Sequence, residues 1–137
     1  FFLPLIIASG GNAGAQSSTL MVRAIATGEV TARDWLKLWG KEIGVSVSLG
    51  LTMGLAVSLV GLWRGGLELA FLVAVAMTLI VAAASVVGML LPIILTRFKL
   101  DPATASVPLV TSLADIFGIL IYFALAVAVF NITIGGA

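Results

Sequence analysis

The stretch Pro108-Leu109-Val110-Thr111-Ser112-Leu113-Ala114-Asp115-Ile116-Phe117-Gly118 decides how the whole chain is read. It opens the last of several long apolar runs and sets one carboxylate, Asp115, inside that run. A charged Asp at the centre of a membrane helix costs roughly 2.5–3.5 kcal/mol on insertion scales, so such a residue faces a bundle interior or a wet cavity. Pro108, Thr111, Ser112, Asp115, Gly118 and Tyr122 fall on one helical face. Counted from Pro108 at the helical rise per residue, Asp115 lies about 10 Å in, beyond easy snorkelling for so short a side chain. The expectation is a carboxylate that faces a cation pathway.

The rest of the composition agrees with a membrane setting. Of 137 residues, 61% are hydrophobic and 9% charged, against about 25% charged in a soluble domain. The chain begins at Phe1, not Met, and is read as a fragment or processed product. No basic n-region precedes a short apolar core, so the first run is not read as a signal peptide. There is no Cys and no His. Thiolate and imidazole metal ligands, disulfides and Cys or His catalysis are therefore excluded. A metal would be held by oxygen alone, which favours hard ions such as Mg²⁺, Ca²⁺ or Mn²⁺.

Working back from Asp115, the apolar runs predict spans over about 1–22, 43–63, 69–96 and 109–134. The fold class is all-α: a polytopic transmembrane bundle of about four to five helices per chain. The first run has an unusual middle, Ser9-Gly10-Gly11-Asn12-Ala13-Gly14-Ala15-Gln16-Ser17-Ser18-Thr19. Asn12, Gln16, Thr19 and Arg23 recur at helical spacing as a polar stripe. Gly10 and Gly11 weaken the helix there, and Gly-interrupted apolar segments point to transport sites. A small-residue packing face is the structural alternative.

Residues 23–42 read as a polar connection, with Thr31 capping a short interfacial helix from about Ala32 that carries Arg33, Trp35, Leu36 and Trp39. Gly40, Gly44 and Ser48, and again Gly50, Gly54 and Ser58, recur every four residues as packing faces. A turn is expected at Trp63-Arg64-Gly65-Gly66. Ala82-Ala83-Ala84-Ser85 and Gly88 give another small face, and Pro92 a kink. Residues 97–107 read as a connection in which Asp101-Pro102 starts a helix. Arg23, Arg33, Lys37, Lys41, Arg97 and Lys99 border two connections and Arg64 the other. The positive-inside rule puts the first and third connections in the cytoplasm.

Asp115 is the one carboxylate read inside the spans. That excludes an aspartic dyad for intramembrane proteolysis. A serine mechanism lacks a base within the spans, and no loop cradles phosphate for ATP hydrolysis. The chain is read as no enzyme and as no nucleic-acid binder. Cation binding fits, although one carboxylate does not neutralise a divalent ion. Two chains about a two-fold axis would bring two copies of Asp115 to one site, and two-fold dimers are the commonest assembly. Mg²⁺ dehydrates reluctantly, so its site would be wide and would accept hydrogen bonds from metal-bound water. Mn²⁺ would reach the carboxylate more directly.

These residues resemble a known family. Pro4, then Gly10-Gly11-Asn12-Ala13-Gly14-Ala15-Gln16, is similar to the signature of the MgtE magnesium channels and transporters. Pro108-Leu109-Val110 through Leu113, Asp115 and Gly118 resembles that family's last pore helix, and Asp101-Pro102-Ala103 its preceding junction. The resemblance covers essentially the whole chain, 1–137, as a transmembrane pore domain. It implies a homodimer in membrane lipid, with the pore at the two-fold interface lined by the first and last spans. Gly11, Asn12, Ala15, Gln16 and Thr19 would line it from the first span, and Pro108, Ser112, Ile119 and Tyr122 from the last. Asp115 would bind a largely hydrated divalent cation, Mg²⁺ with Mn²⁺ or Co²⁺ as substitutes, aided by backbone carbonyls near Thr111 and Gly118. Asp101 matches a position that helps bind regulatory Mg²⁺. Some relatives carry an amide where Ala15 stands. The resemblance also implies a preceding span and cytoplasmic Mg²⁺-sensing domains outside these residues. The protein would be multi-pass in a plasma membrane of the bacterial type. An ion-coupled secondary Mg²⁺ carrier with alternating access is the alternative mechanism.

Overall fold

The computed structural model describes residues 1–30 and 35–134, without the side chains of 35, 36, 105 and 131–134. The regular structure among them is helical: α1 (Leu3–Ala26), α2 (Trp35–Arg97) and α3 (Pro102–Ile134). α2 is broken at Gly66, whose φ of 77° and ψ of −166° are non-helical. This makes four helical segments, with arms over 35–65 and 67–97. Only glycine takes that conformation without strain, so the expected Gly65-Gly66 turn forms where it was read.

Helix ends follow local chemistry. Pro4 stands in the first turn of α1, where its missing N–H is no loss. At the far end Gly28 turns left-handed, with φ of 70°. The Gly28 and Glu29 amides donate to the Ile25 and Ala24 carbonyls, a Schellman closure. The end of α2 repeats this with Lys99 at φ 59°, the Lys99 and Leu100 amides donating to Thr96 and Leu95. Asp101 then caps α3: its carboxylate accepts from the Ala103 amide at 3.0 Å and the Thr104 hydroxyl at 2.5 Å. The connection is thus shorter than 97–107, because 102–107 is already helical and α3 runs through Pro108. The backbone at Pro92 also stays helical.

The two arms of α2 fold back on each other through the glycine face of the first. A Cβ on Gly50 would lie 2.8 Å from Thr78 Cα, one on Gly54 2.8 Å from the Ala74 carbonyl oxygen, and one on Gly61 3.1 Å from Ala70 Cα. The other face behaves differently. Nothing lies within 4 Å of a Cβ on Gly40 or Gly44, so these two glycines meet no neighbour among the described residues.

α1 lies between the second arm and α3. Gly10 meets Ile80, and Gly14 meets Ala84, Gly88 and Val110. Gly118 meets Ile7. The rising and falling numbers make α1 parallel to the second arm and antiparallel to α3. A core of Phe2, Ile6, Ala13, Val73, Ala76, Met77, Ile80 and Val81 fills the half nearer the Gly66 turn. The glycines of α1 therefore serve contact. α1 is one unbroken helix and neither Gly10 nor Gly11 has positive φ, so the expected irregularity is absent.

Two helices, Lys37–Arg97 and Ser106–Phe130, are long and apolar enough to cross a membrane. The first does so as two arms because of the break at Gly66. α1 has 24 residues, about 36 Å at the helical rise, but its polar middle lowers its apolarity. The Thr31 cap and the helix start at Ala32 lie outside the described residues. Helix resumes at Trp35, eight residues before the expected span at Ile43.

Candidate ion site

The polar stripe of α1 forms as its spacing predicts. Asn12, Gln16, Thr19 and Arg23 are all exposed on the single chain. Asn12, Ala15, Gln16, Thr19 and Leu20 line one cavity of about 480 Å³. The Thr19 hydroxyl is turned back onto the Ala15 carbonyl, leaving the Asn12 and Gln16 amides as its free polar groups. Alternation of small and polar residues produces this: Gly10, Gly14, Ser17 and Ser18 face inward, and the amides face out.

α3 brings Asp115 to the same region. Its Oδ1 lies 3.9 Å from where a Cβ on Gly11 would sit. Gly11 thus leaves room beside the carboxylate that any side chain would fill. Asp115 is exposed, and among the described residues no hydrogen bond or ion pair engages it. Pro108, Ser112 and Ile119 are exposed and Thr111 half-buried. The Thr111 and Ser112 hydroxyls donate to the Pro108 carbonyl, each at 2.9 Å.

The single helical face expected on α3 is divided. Val110, Ala114 and Gly118 form its buried seam, with Gly118 against Ile7 and Ile80. Tyr122 is half-buried and packs on the apolar core. Gly118 is thus buried in the seam and does not share the open face of Asp115. Asp101 lies at the start of α3, away from Asp115. The Thr104 hydroxyl and the Ala103 amide hold its carboxyl below the usual carboxylate range.

Sequence reasoning missed Glu42. It was assigned to a polar connection, yet it lies inside α2 and accepts a hydrogen bond from Ser17 of α1. Glu42 and Glu68 thus both lie in the α2 helix that is apolar enough to cross a membrane, besides Asp115 on α3. Glu42 and Asp115 do not form a dyad: Ser17 and Gly11 are about 9 Å apart along α1 and about a third of a turn around it. Glu42 at four-residue spacing from Ser46 was the available signal. It was hidden because the span was started at the first residue after the last charge. Among the described residues no three His, Cys, Asp or Glu side chains gather around one point.

Comparison with known proteins gives the family. The family model described as MgtE, divalent cation transporter, matches residues 3–125. A magnesium transporter MgtE from Thermus thermophilus is 43% identical over 126 residues, 92% of this chain and 28% of that protein. The Bacillus subtilis protein of the same description is 35% identical over 129 residues, 93% of this chain and 29% of its own length. That of Enterococcus faecalis is 34% identical over 126 residues, 91% and 28% of the two chains. The chain thus spans less than a third of the length of these curated relatives. With a match from Leu3 to Leu125 that takes in both the Gly10–Gln16 stripe and Asp115, the chain belongs to the MgtE family of divalent cation transporters.

Proposed function

We propose that this chain is the membrane part of a Mg²⁺ transporter, multi-pass in a bacterial plasma membrane. Two copies related by a two-fold axis face each other across the α1 stripe and the Asp115 side of α3. The paired Asp115 carboxylates hold a largely hydrated Mg²⁺, whose waters donate to the carboxylates and to Asn12 and Gln16. The observation that carries the reading is a carboxylate on a membrane-length helix, exposed beside Gly11, with no partner among the described residues. Left facing lipid it would cost roughly 2.5–3.5 kcal/mol, and a cation shared with a second copy offsets that. Asp101, at the basic end, is available for regulatory Mg²⁺ beside the cytoplasmic domains of the full-length protein.

The test is Mg²⁺ flux into vesicles that contain the purified full-length protein. Asp115→Asn lowers flux at least about tenfold, the scale of a lost hydrogen bond to a charged group. Normal flux through a folded Asp115→Asn protein refutes the reading. Unitary currents across a planar bilayer identify a channel; slow, strictly coupled flux identifies a carrier.

A further inference from the structure

Glu42 has surroundings that the Asp115 reading does not use. Behind α1, a cavity of about 80 Å³ is lined by Glu42, Gln16, Ser17, Ser46 and Ser85 among apolar neighbours. Ser85 is 2% exposed, and among the described residues its hydroxyl has no hydrogen-bond partner. Ser46 is equally buried and spends its proton on the Ile43 carbonyl, which leaves its oxygen lone pairs available. Ser17 does the same toward Glu42. The wall thus carries one carboxylate, three hydroxyl oxygens and an amide, all hard oxygen donors.

This cavity shares lining residues with two larger ones. Ser17, Leu20, Glu42 and Val45 also line a cavity of about 290 Å³ that runs toward Ala24 and Leu38 at the basic end. Gln16 and Leu20 also line the cavity of the polar stripe. Lys41 borders the 290 Å³ cavity but is itself exposed, and among the described residues Glu42 forms no ion pair.

We infer that Glu42, Ser17, Ser46 and Ser85 form a site for one small monovalent cation of the Na⁺ type, separate from Asp115. Charge selects the valence. One carboxylate and one monovalent ion are neutral together, whereas a divalent ion would leave a net positive charge between the helices. The Ser85 hydroxyl, which bonds nothing among the described residues, offers its oxygen lone pairs to the cation.

The test is thermal unfolding of the purified full-length protein without divalent ions, with NaCl exchanged for choline chloride at constant ionic strength. Na⁺ stabilises the protein in a saturable manner and choline does not. Glu42→Gln raises the Na⁺ midpoint at least about tenfold, as loss of a charged ligand does. Ser85→Ala raises it less while leaving the Ser17–Glu42 bond, and it decides the matter if Glu42→Gln fails to fold. Asp115→Asn keeps the Na⁺ response, so this site stands or falls apart from the proposed Mg²⁺ pathway. The inference is overturned if Na⁺ and choline act alike, if folded Glu42→Gln responds as the parent does, or if Mg²⁺ replaces Na⁺ in the Glu42-dependent response.

Discussion

In the half of the bundle nearer the Gly66 turn, Phe2, Ile6, Val73, Met77 and Ile80 fill the space between helices. In the half nearer the basic end the same helices meet through Gly14, Gly88, Ser17, Ser18 and Ser106. Large side chains fill the first half, where close backbone approach occurs between the two arms of α2 at Gly54 and Gly61. The second also buries Met21, Met89 and Val110, but there α1 meets its neighbours by close backbone approach and hydroxyls, and the Glu42 and Gln16 cavities lie beside it. Filled packing fixes position, while small residues leave polar volume beside the chain. On the proposed reading the two halves divide anchoring from ion contact, and each can be challenged separately.

The largest effect is expected at Gly88, where a Cβ would collide with the Gly14 carbonyl oxygen. Backbone cannot yield as a flexible side chain would, so Gly88→Ala should abolish the folded form in fluorescence-detected size exclusion. Gly40→Ala, with nothing within 4 Å, should stay within about 0.5 kcal/mol of the parent. A fully stable Gly88→Ala protein would break the account of the basic half. Next is Met77→Ala in the apolar half. Met77 is 0% exposed, and the void should cost about 2–5 kcal/mol in unfolding measurements. The smallest effect sharpens the contrast. Ser18 is fully buried and its hydroxyl has no partner. Ser18→Ala should therefore stabilise the protein by up to about 1 kcal/mol, and a clear loss would reveal a partner for that hydroxyl.

Much of this was legible in the residues because periodicity reports faces directly. The Asn12–Gln16–Thr19 stripe, the Gly50–Gly54 contact, the Gly66 turn and the Asp101 cap all came from spacing and local chemistry. Segment limits were less legible. Charged residues were taken to end spans, yet Glu42 sits within α2 because Ser17 receives it, a tertiary fact that no window of sequence contains. The division of the α3 face was hidden for a related reason. Gly118 and Asp115 are three apart and share a face by period, but only the presence of Ile7 and Ile80 decides which of them turns inward. Gly10 and Gly11 were read both as weakening the helix and as letting another backbone approach; Gly10 does meet Ile80 closely, while the helix stays unbroken.

The position of α1 between the second arm and α3 has a consequence for biogenesis. α1 leaves the ribosome before either neighbour, and its amides and glycines make it a poor solitary guest in lipid. The arms of α2 form a self-contained hairpin that can insert as soon as residue 97 is made. α1 gains its full seat only after Val110 and Gly118 have followed. The helix with the most polar surface is therefore translated before both of these neighbours and secured only after them. Agents that slow elongation or membrane insertion past residue 100 should strand it first.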